Sequence, residues 1–333
     1  MCYTAGVGFI ALTLGKGMDM DWVVPLIQVV AGIGCLTLGG DYIVRGSVVV
    51  AGRLGVSAVV TGAVIVGFGT SLPELLVTMQ ASLAGKPDIG VGNVVGSNIA
   101  NFLFILCFGL VLMPIATADA GVRRDAVACV VAALVLGGVA YIGGVSRLMG
   151  GVMVAGLMCY LVFSFVLARS KHAGEAEGEG EGDSWGYGLR GLVILIAIIL
   201  LPLGADLLIG GASALALQFG ISQAVIGLSL VAIGTSLPEL AAAAAAVLRQ
   251  HGSVVLSSVL GSTLFNILSI LGITALVVPV PIAASIARGD VPVSIAVIVG
   301  MAGLICWRKR LTRPVGVVGL LGYCLYLVWL FSR

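Results

Sequence analysis

One fragment written twice limits what this chain can fold into more than any other feature. Gly69-Thr70-Ser71-Leu72-Pro73-Glu74-Leu75 returns as Gly234-Thr235-Ser236-Leu237-Pro238-Glu239-Leu240. The offset is 165 residues, about half of the 333-residue chain. Both copies lie inside long apolar runs. Each therefore sets a carboxylate, two hydroxyls and a proline at membrane depth, a combination that a lipid-facing helix has no use for.

The membrane setting follows from composition. The chain is 60% hydrophobic and 10% charged, with a mean hydropathy of +1.20, whereas a soluble domain carries roughly 25% charged residues. With apolar runs of 18 or more residues recurring throughout, this is a polytopic helical membrane protein. No basic tract or aromatic-basic interleaving suits nucleic acid. The seven cysteines, Cys2, Cys35, Cys107, Cys129, Cys159, Cys306 and Cys324, form no CxxC pair and read as small core or lipid-facing residues. His172 and His251 stand at segment ends, away from any zinc-like ligand spacing and from Ser71, so a hydrolytic site has no base.

Ten spans in two groups of five are the simplest partition. The first five cover about 22–50, 56–83, 89–113, 125–142 and 148–167, and the second five about 189–217, 221–248, 253–278, 291–307 and 315–331. The first unit is 22–168 and the second 189–331. Between them, 169–188 is a linker in which Glu and Gly alternate over 174–182; it reads as a solvated tether, with a regulatory calcium role for its acids as the other reading. Residues 1–17 pass either for a signal sequence or for an upstream start, since Met18 and Met20 precede the first convincing span.

The repeat extends past the signature. Gly39 and Asp41 match Gly204 and Asp206, Gly46 matches Gly211, Gly55 matches Gly220, Ser57 matches Ser222, and Gly62 matches Gly227. Downstream, Gly96-Ser97 matches Gly261-Ser262, and Asn101 matches Asn266, all on one offset. Five spans per unit is an odd number, so the two units enter the membrane from opposite sides. The expected fold is all-α, about ten transmembrane helices in two inverted repeats, with a site near the bilayer midplane. Of the 17 Lys and Arg, 12 fall on the linker side and 5 on the other. The positive-inside rule then puts the linker in the cytoplasm of a cell-membrane protein and both termini outside.

The repeated residues suit a hard cation. Pro73 has no N–H for the Gly69 carbonyl, and Pro238 has none for Gly234. Thr70, Ser71 and Glu74 lie three and four residues apart and share a helix face, as do Thr235, Ser236 and Glu239. Ser97 with Asn101, and Ser262 with Asn266, add oxygens at i, i+4 spacing, and Gly92, Gly96 and Gly261 are expected to let those helices approach closely. Carbonyl, hydroxyl and carboxylate oxygens are what calcium takes, six to eight at a time. Asp41 and Asp206 read as groups that support the site, as groups that help pass ions toward its entrance, or as makers of a helix-end bond.

Gly-Thr-Ser-Leu-Pro-Glu-Leu in both halves, with Gly90-Val91-Gly92-Asn93-Val94-Val95-Gly96-Ser97-Asn98-Ile99-Ala100-Asn101 after the first, resembles the alpha repeats of the cation/calcium antiporter superfamily. The match is nearest to its prokaryotic sodium/calcium exchangers and covers essentially the whole chain. The alpha motifs fall at 67–106 and 232–271. The resemblance implies a ten-helix antiporter, not an enzyme, with no cofactor and no obligatory protein partner, moving calcium one way against sodium, or protons, moved the other. It implies metal ligands Thr70, Ser71, Glu74, Ser97 and Asn101 with the Gly69 carbonyl, and Thr235, Ser236, Glu239, Ser262 and Asn266 with the Gly234 carbonyl. The second repeat departs from the pattern: several relatives carry Asp where Asn266 stands, and 241–246 lacks the hydroxyl and amide of Thr78 and Gln80. Sodium and proton therefore both remain open as the coupling ion. A calcium-permeable channel is the remaining alternative, and a doubled acidic site argues against it.

Overall fold

A computed structural model describes residues 22–54, 66–172, 187–219, 234 and 236–332. The expectations for 1–17, most of the linker, Thr235, and the pairs Gly55/Gly220, Ser57/Ser222 and Gly62/Gly227 lie outside the described residues. Within them the chain is helical, with four two-residue strands.

In the first half, helix α1 is Val23–Leu54, α2 Gly67–Thr70 and α3 Leu72–Leu83. Then come α4 at Pro87–Ala100, a π-helical turn at Asn101–Leu106 and α5 at Cys107–Leu112. Strand β1 (Ile115–Ala116), α6 (Ala120–Tyr141), β2 (Gly144–Val145) and α7 (Arg147–His172) close the half. The second half has α8 (Tyr187–Gln218), α9 (Leu237–Leu248), α10 (Gly252–Leu264), a π turn (Phe265–Ile270) and α11 (Leu271–Val277). It ends with β3 (Val280–Pro281), the short α12 (Ala284–Arg288), α13 (Asp290–Trp307), β4 (Arg310–Leu311) and α14 (Arg313–Phe331). Among the described residues, eight segments are long and apolar enough to span a bilayer. Helices α3 and α9, at 12 residues each, reach about 18 Å and cross only half of one.

Three sequence expectations need correction. The expected continuous span over 56–83 is broken at Ser71, where ψ is 6°, and α3 starts afresh with Pro73 in its first turn. Ser236, with ψ 4°, opens α9 in the same way. A proline at a helix start loses no bond and is favoured there, so Pro73 and Pro238 begin helices instead of kinking them. The spans expected at 89–113 and 253–278 each contain a π turn. The span expected from 125 begins at Ala120, because Asp119 caps it: its carboxylate accepts from the Gly121 N–H at 2.6 Å and the Val122 N–H at 3.3 Å.

The strands show that the halves are inverted. β1 pairs with β4, Ile115 opposite Leu311, and β2 with β3, Val145 opposite Val280. Helix α6 runs from β1 to β2, and its repeat mate α13 runs from β3 to β4. Each therefore starts where the other ends, and the two pack against each other antiparallel. The halves also interleave: α5 packs on α14 of the second half, and α11 on α7 of the first. Helices α1 and α8, another repeat pair, meet backbone to backbone. A Cβ on Gly32 would stand 2.7 Å from the Gly204 carbonyl oxygen, and one on Gly204 3.0 Å from that of Gly32.

Lipid-facing and central helices separate by burial. The membrane window of Gly252–Val277 is 94% buried and that of Pro87–Leu112 72%, against 17% for Arg313–Leu330. Leu321, Leu325 and Val328 on α14 point outward, as hydrocarbon allows. The two most enclosed spans are those carrying the Ser…Asn pairs.

Candidate functional site

The two half-helices start at the molecular centre. Glu74 lies in the first turn of α3 and Glu239 in the first turn of α9, where the positive end of the helix dipole favours a carboxylate. Both are buried, at 1% and 4% exposure. Ser71, three residues before Glu74, bonds Glu239 across the halves and so brings the two helix starts together. The packing crosses between halves: the second π turn lies against α3, and the first against α9.

Hydrogen bonds tie the halves together at this level. Ser71 Oγ donates to Glu239 Oε1 at 3.3 Å. Ser262 Oγ donates to the Gly67 carbonyl at 3.3 Å, and Asn266 Nδ2 to Asn98 Oδ1 at 3.2 Å. Close approach permits this. A Cβ on Gly67 would sit 2.9 Å from the Ser262 backbone nitrogen and 3.1 Å from the Gly261 carbonyl carbon. The expected close contact at Gly92 and Gly96 is not found, since a Cβ at either would meet open space. The tight crossing lies at Gly261, as expected, but its partner is Gly67.

Several buried atoms at this centre have no hydrogen-bond partner: Glu74 Oε2, Glu239 Oε2 and Asn266 Oδ1 among acceptors, Asn98 Nδ2 and Asn101 Nδ2 among donors. A buried carboxylate oxygen without a donor is costly, and folded proteins rarely leave one. Three acceptors left open together are what a bound cation satisfies.

The other expected residues fall around this centre. Thr70, Ser97 and Ser236 are buried, and the Thr70 hydroxyl also donates to the Val66 carbonyl of its own turn at 2.9 Å. Gly69 and Gly234 are buried, and their Cα faces turn to isoleucines: Ile43 of α1 and Ile198 of α8 for Gly69, Ile209 of α8 for Gly234. Of Asp41 and Asp206, the first makes a structural bond. Arg45 holds it at 3.0 Å, and Arg249 reaches it from the end of α9. Asp206 is exposed, and Gly210 and Ala84 occupy the positions equivalent to those two arginines.

Sequence reasoning missed Asn98, the Gly67 carbonyl and Asn93. Asn93 Nδ2 donates to the Glu74 backbone carbonyl at 3.3 Å and to Thr78 Oγ1 at 3.1 Å. The repeat criterion passed over Asn98 and Asn93 because Thr263 and Ser258 replace them in the second half. The Gly67 carbonyl left no sequence signal, since any residue has one. Among the described residues, no group of three or more His, Cys, Asp and Glu side chains is placed to hold a metal ion, so a cation at this centre would draw most of its oxygens from hydroxyls, amides and carbonyls.

The family model described as "Sodium/calcium exchanger protein" matches residues 24–166 and 190–332. Relatives include "Inner membrane protein YrbG" of Escherichia coli (strain K12), 32% identical over 90% of this chain and 94% of the relative. "Putative antiporter CaxA" of Alkalimonas amylolytica is 31% identical over 93% and 99%. "Sodium/calcium exchanger MaX1" of Methanosarcina acetivorans is 30% identical over 92% and 99%. A structure of the sodium-calcium exchanger NCX_Mj, soaked with Na+ and Sr2+, superimposes with a TM-score of 0.79 at 28% identity, covering 92% of this chain and 98% of that one. Two inverted helical halves, two converging buried acids and these matches agree: the chain belongs to the sodium/calcium exchanger family, and it is a membrane antiporter of the cation/calcium type that needs no cofactor and is not an enzyme.

Proposed function

We propose that this protein exchanges calcium for sodium across the cell membrane, at the site between α2–α3 and the α8–α9 region. The observation that carries the reading is the convergence of Glu74 and Glu239, one from each half, each with a buried oxygen lacking a partner. Two ionised carboxylates hold a charge of −2 in a poorly polarisable setting and repel. One calcium neutralises them, as do two sodium ions. The bare pair crosses the membrane unwillingly, so each calcium leaving one face is replaced by counter-ions from the other.

The ligand oxygens are those of Glu74, Thr70, Ser71, Ser97 and Asn101, with Glu239, Thr235, Ser236, Ser262 and Asn266, and the carbonyls of Gly69 and Gly234. The two units, 22–168 and 189–331, alternate as inverted partners, and the α1–α8 pair moves against the rest. Support for that moving group is the close glycine contact that joins α1 to α8 as one unit and its outward position, with only 28% and 22% of its membrane windows buried. The lysine and arginine balance supports a cytoplasmic linker and external termini.

Proton/calcium exchange is the second reading. Its support is the restriction of formal charge to two carboxylates, with amides at Asn101 and Asn266, so that two protons suffice to neutralise the site. Radioactive calcium uptake into proteoliposomes, under imposed sodium, potassium or proton gradients in turn, separates the two. Sodium-driven uptake is expected, and uptake that needs only a pH gradient selects the proton. Glu74→Gln or Glu239→Gln is expected to abolish uptake under every gradient. Full exchange in either variant removes the carboxylate site.

A further inference from the structure

The central polar cluster contains side chains that the repeat does not supply, and Asn98 is one that reaches across the two halves. Asn98 lies on α4, fully buried, between Ser97 and the first π turn. Its Oδ1 accepts from Asn266 Nδ2 at 3.2 Å across the two halves. Asn266 Oδ1 is buried and unpartnered, on a π turn that packs against α3, the helix of Glu74.

An amide has two ends of opposite sign. With its NH2 held by Asn98, Asn266 can offer the centre only its carbonyl oxygen. Turned by half a revolution, it would set two N–H donors against the cation instead. We propose that Asn98 is a positioning residue for ion binding: it fixes the Asn266 amide so that the oxygen faces the transported cation. The inference rests on reading this centre as the cation site. It is one-sided, because Thr263, at the equivalent place in the second half, donates to Val259 of its own helix at 2.9 Å. The bond therefore serves Asn266, and Asn101 has no such support from Thr263.

The test uses the full chain, with radioactive calcium binding in detergent and initial uptake rates in proteoliposomes. Asn98→Leu removes the acceptor at similar volume. The calcium concentration for half-saturation is expected to rise about fivefold to tenfold, the loss of one hydrogen bond, with the maximal rate nearly unchanged. In an Asn266→Leu background the same substitution is expected to do nothing further, because its target is gone. Asn98→Thr, which copies the second half, repeats the test with a polar residue if the leucine variant does not fold. Unchanged affinity in Asn98→Leu, or effects that add to those of Asn266→Leu, overturns the assignment. Glu74→Gln runs alongside. If it binds calcium normally, the cation-site reading fails whatever Asn98 does; if it loses binding while the Asn98 effects are absent or additive, only the positioning role fails.

Discussion

At the scale of single residues, the membrane interior holds two kinds of acid. Asp125 is buried but matched: Arg124 donates to it at 2.7 Å, and the Tyr160 hydroxyl also bonds it. Its repeat mate Asp290 accepts from Tyr326 at 3.2 Å. Glu74 and Glu239 each keep an oxygen that no described side chain serves. Removing a carboxylate from water without a partner costs several kcal/mol, so the first kind is accounted for by the fold, whereas the second is left for the proposed cation. Tyr160→Phe is therefore expected to lower stability by about 1–3 kcal/mol, read as a lower thermal midpoint in detergent, with calcium half-saturation unchanged. A matching rise in half-saturation would bring Asp125 into the transport path. Glu74 and Glu239 were legible in the sequence because the fragment around them is repeated. Asp125 and Asp290 repeat at the same offset, but nothing in the sequence says which tyrosine answers them.

At the scale of elements, the broken helices decide the site. Proline in the first turn of α3 and α9 makes each a half-span whose start, carrying the glutamate, lies inside the molecule. The far ends are set just as locally. Lys86 N–H bonds the Ala81 carbonyl at 2.9 Å around Gly85 at φ 72°, and His251 N–H bonds that of Ala246 at 2.8 Å around Gln250 at φ 59°. Both are left-handed helix caps, the glycine without strain and the glutamine as an uncommon residue there. One tight backbone contact between elements at the site is Gly67 on Gly261–Ser262. Gly67→Ala adds a methyl 2.9 Å from backbone, so it is expected to cost about 1–3 kcal/mol and to lower the thermal midpoint. An unaltered midpoint would show that α2 and α10 have slack between them. The prolines marked the places, but the sequence reading ran one span through each, and the breaks at Ser71 and Ser236 came from the structure. The π turns at Asn101–Leu106 and Phe265–Ile270 were not legible either, because no residue type marks them.

At the scale of the whole molecule, inversion follows from the strand pairs. Ala116 faces Arg310 across β1 and β4 on one side of the membrane, and Gly144 faces Pro281 across β2 and β3 on the other. In a background with the native cysteines replaced, Ala116→Cys with Arg310→Cys is expected to form a disulfide joining the halves, since antiparallel partners lie at bridging distance. A membrane-impermeant thiol reagent should reach Arg310→Cys from the linker side and Arg288→Cys from the other. Labelling of both from one side would undo the inverted arrangement. By itself, the sequence determined the membrane class, the two units, their opposed entry and the pair of acids, because hydropathy, an odd span count and a repeat at fixed offset are properties of the chain's order. Only the tertiary structure decided which atoms meet at the centre: Ser71 on Glu239, Ser262 on Gly67, Asn266 on Asn98. Those bonds join residues more than 160 positions apart, and their partners depend on how two similar but unequal halves cross, which no local pattern records.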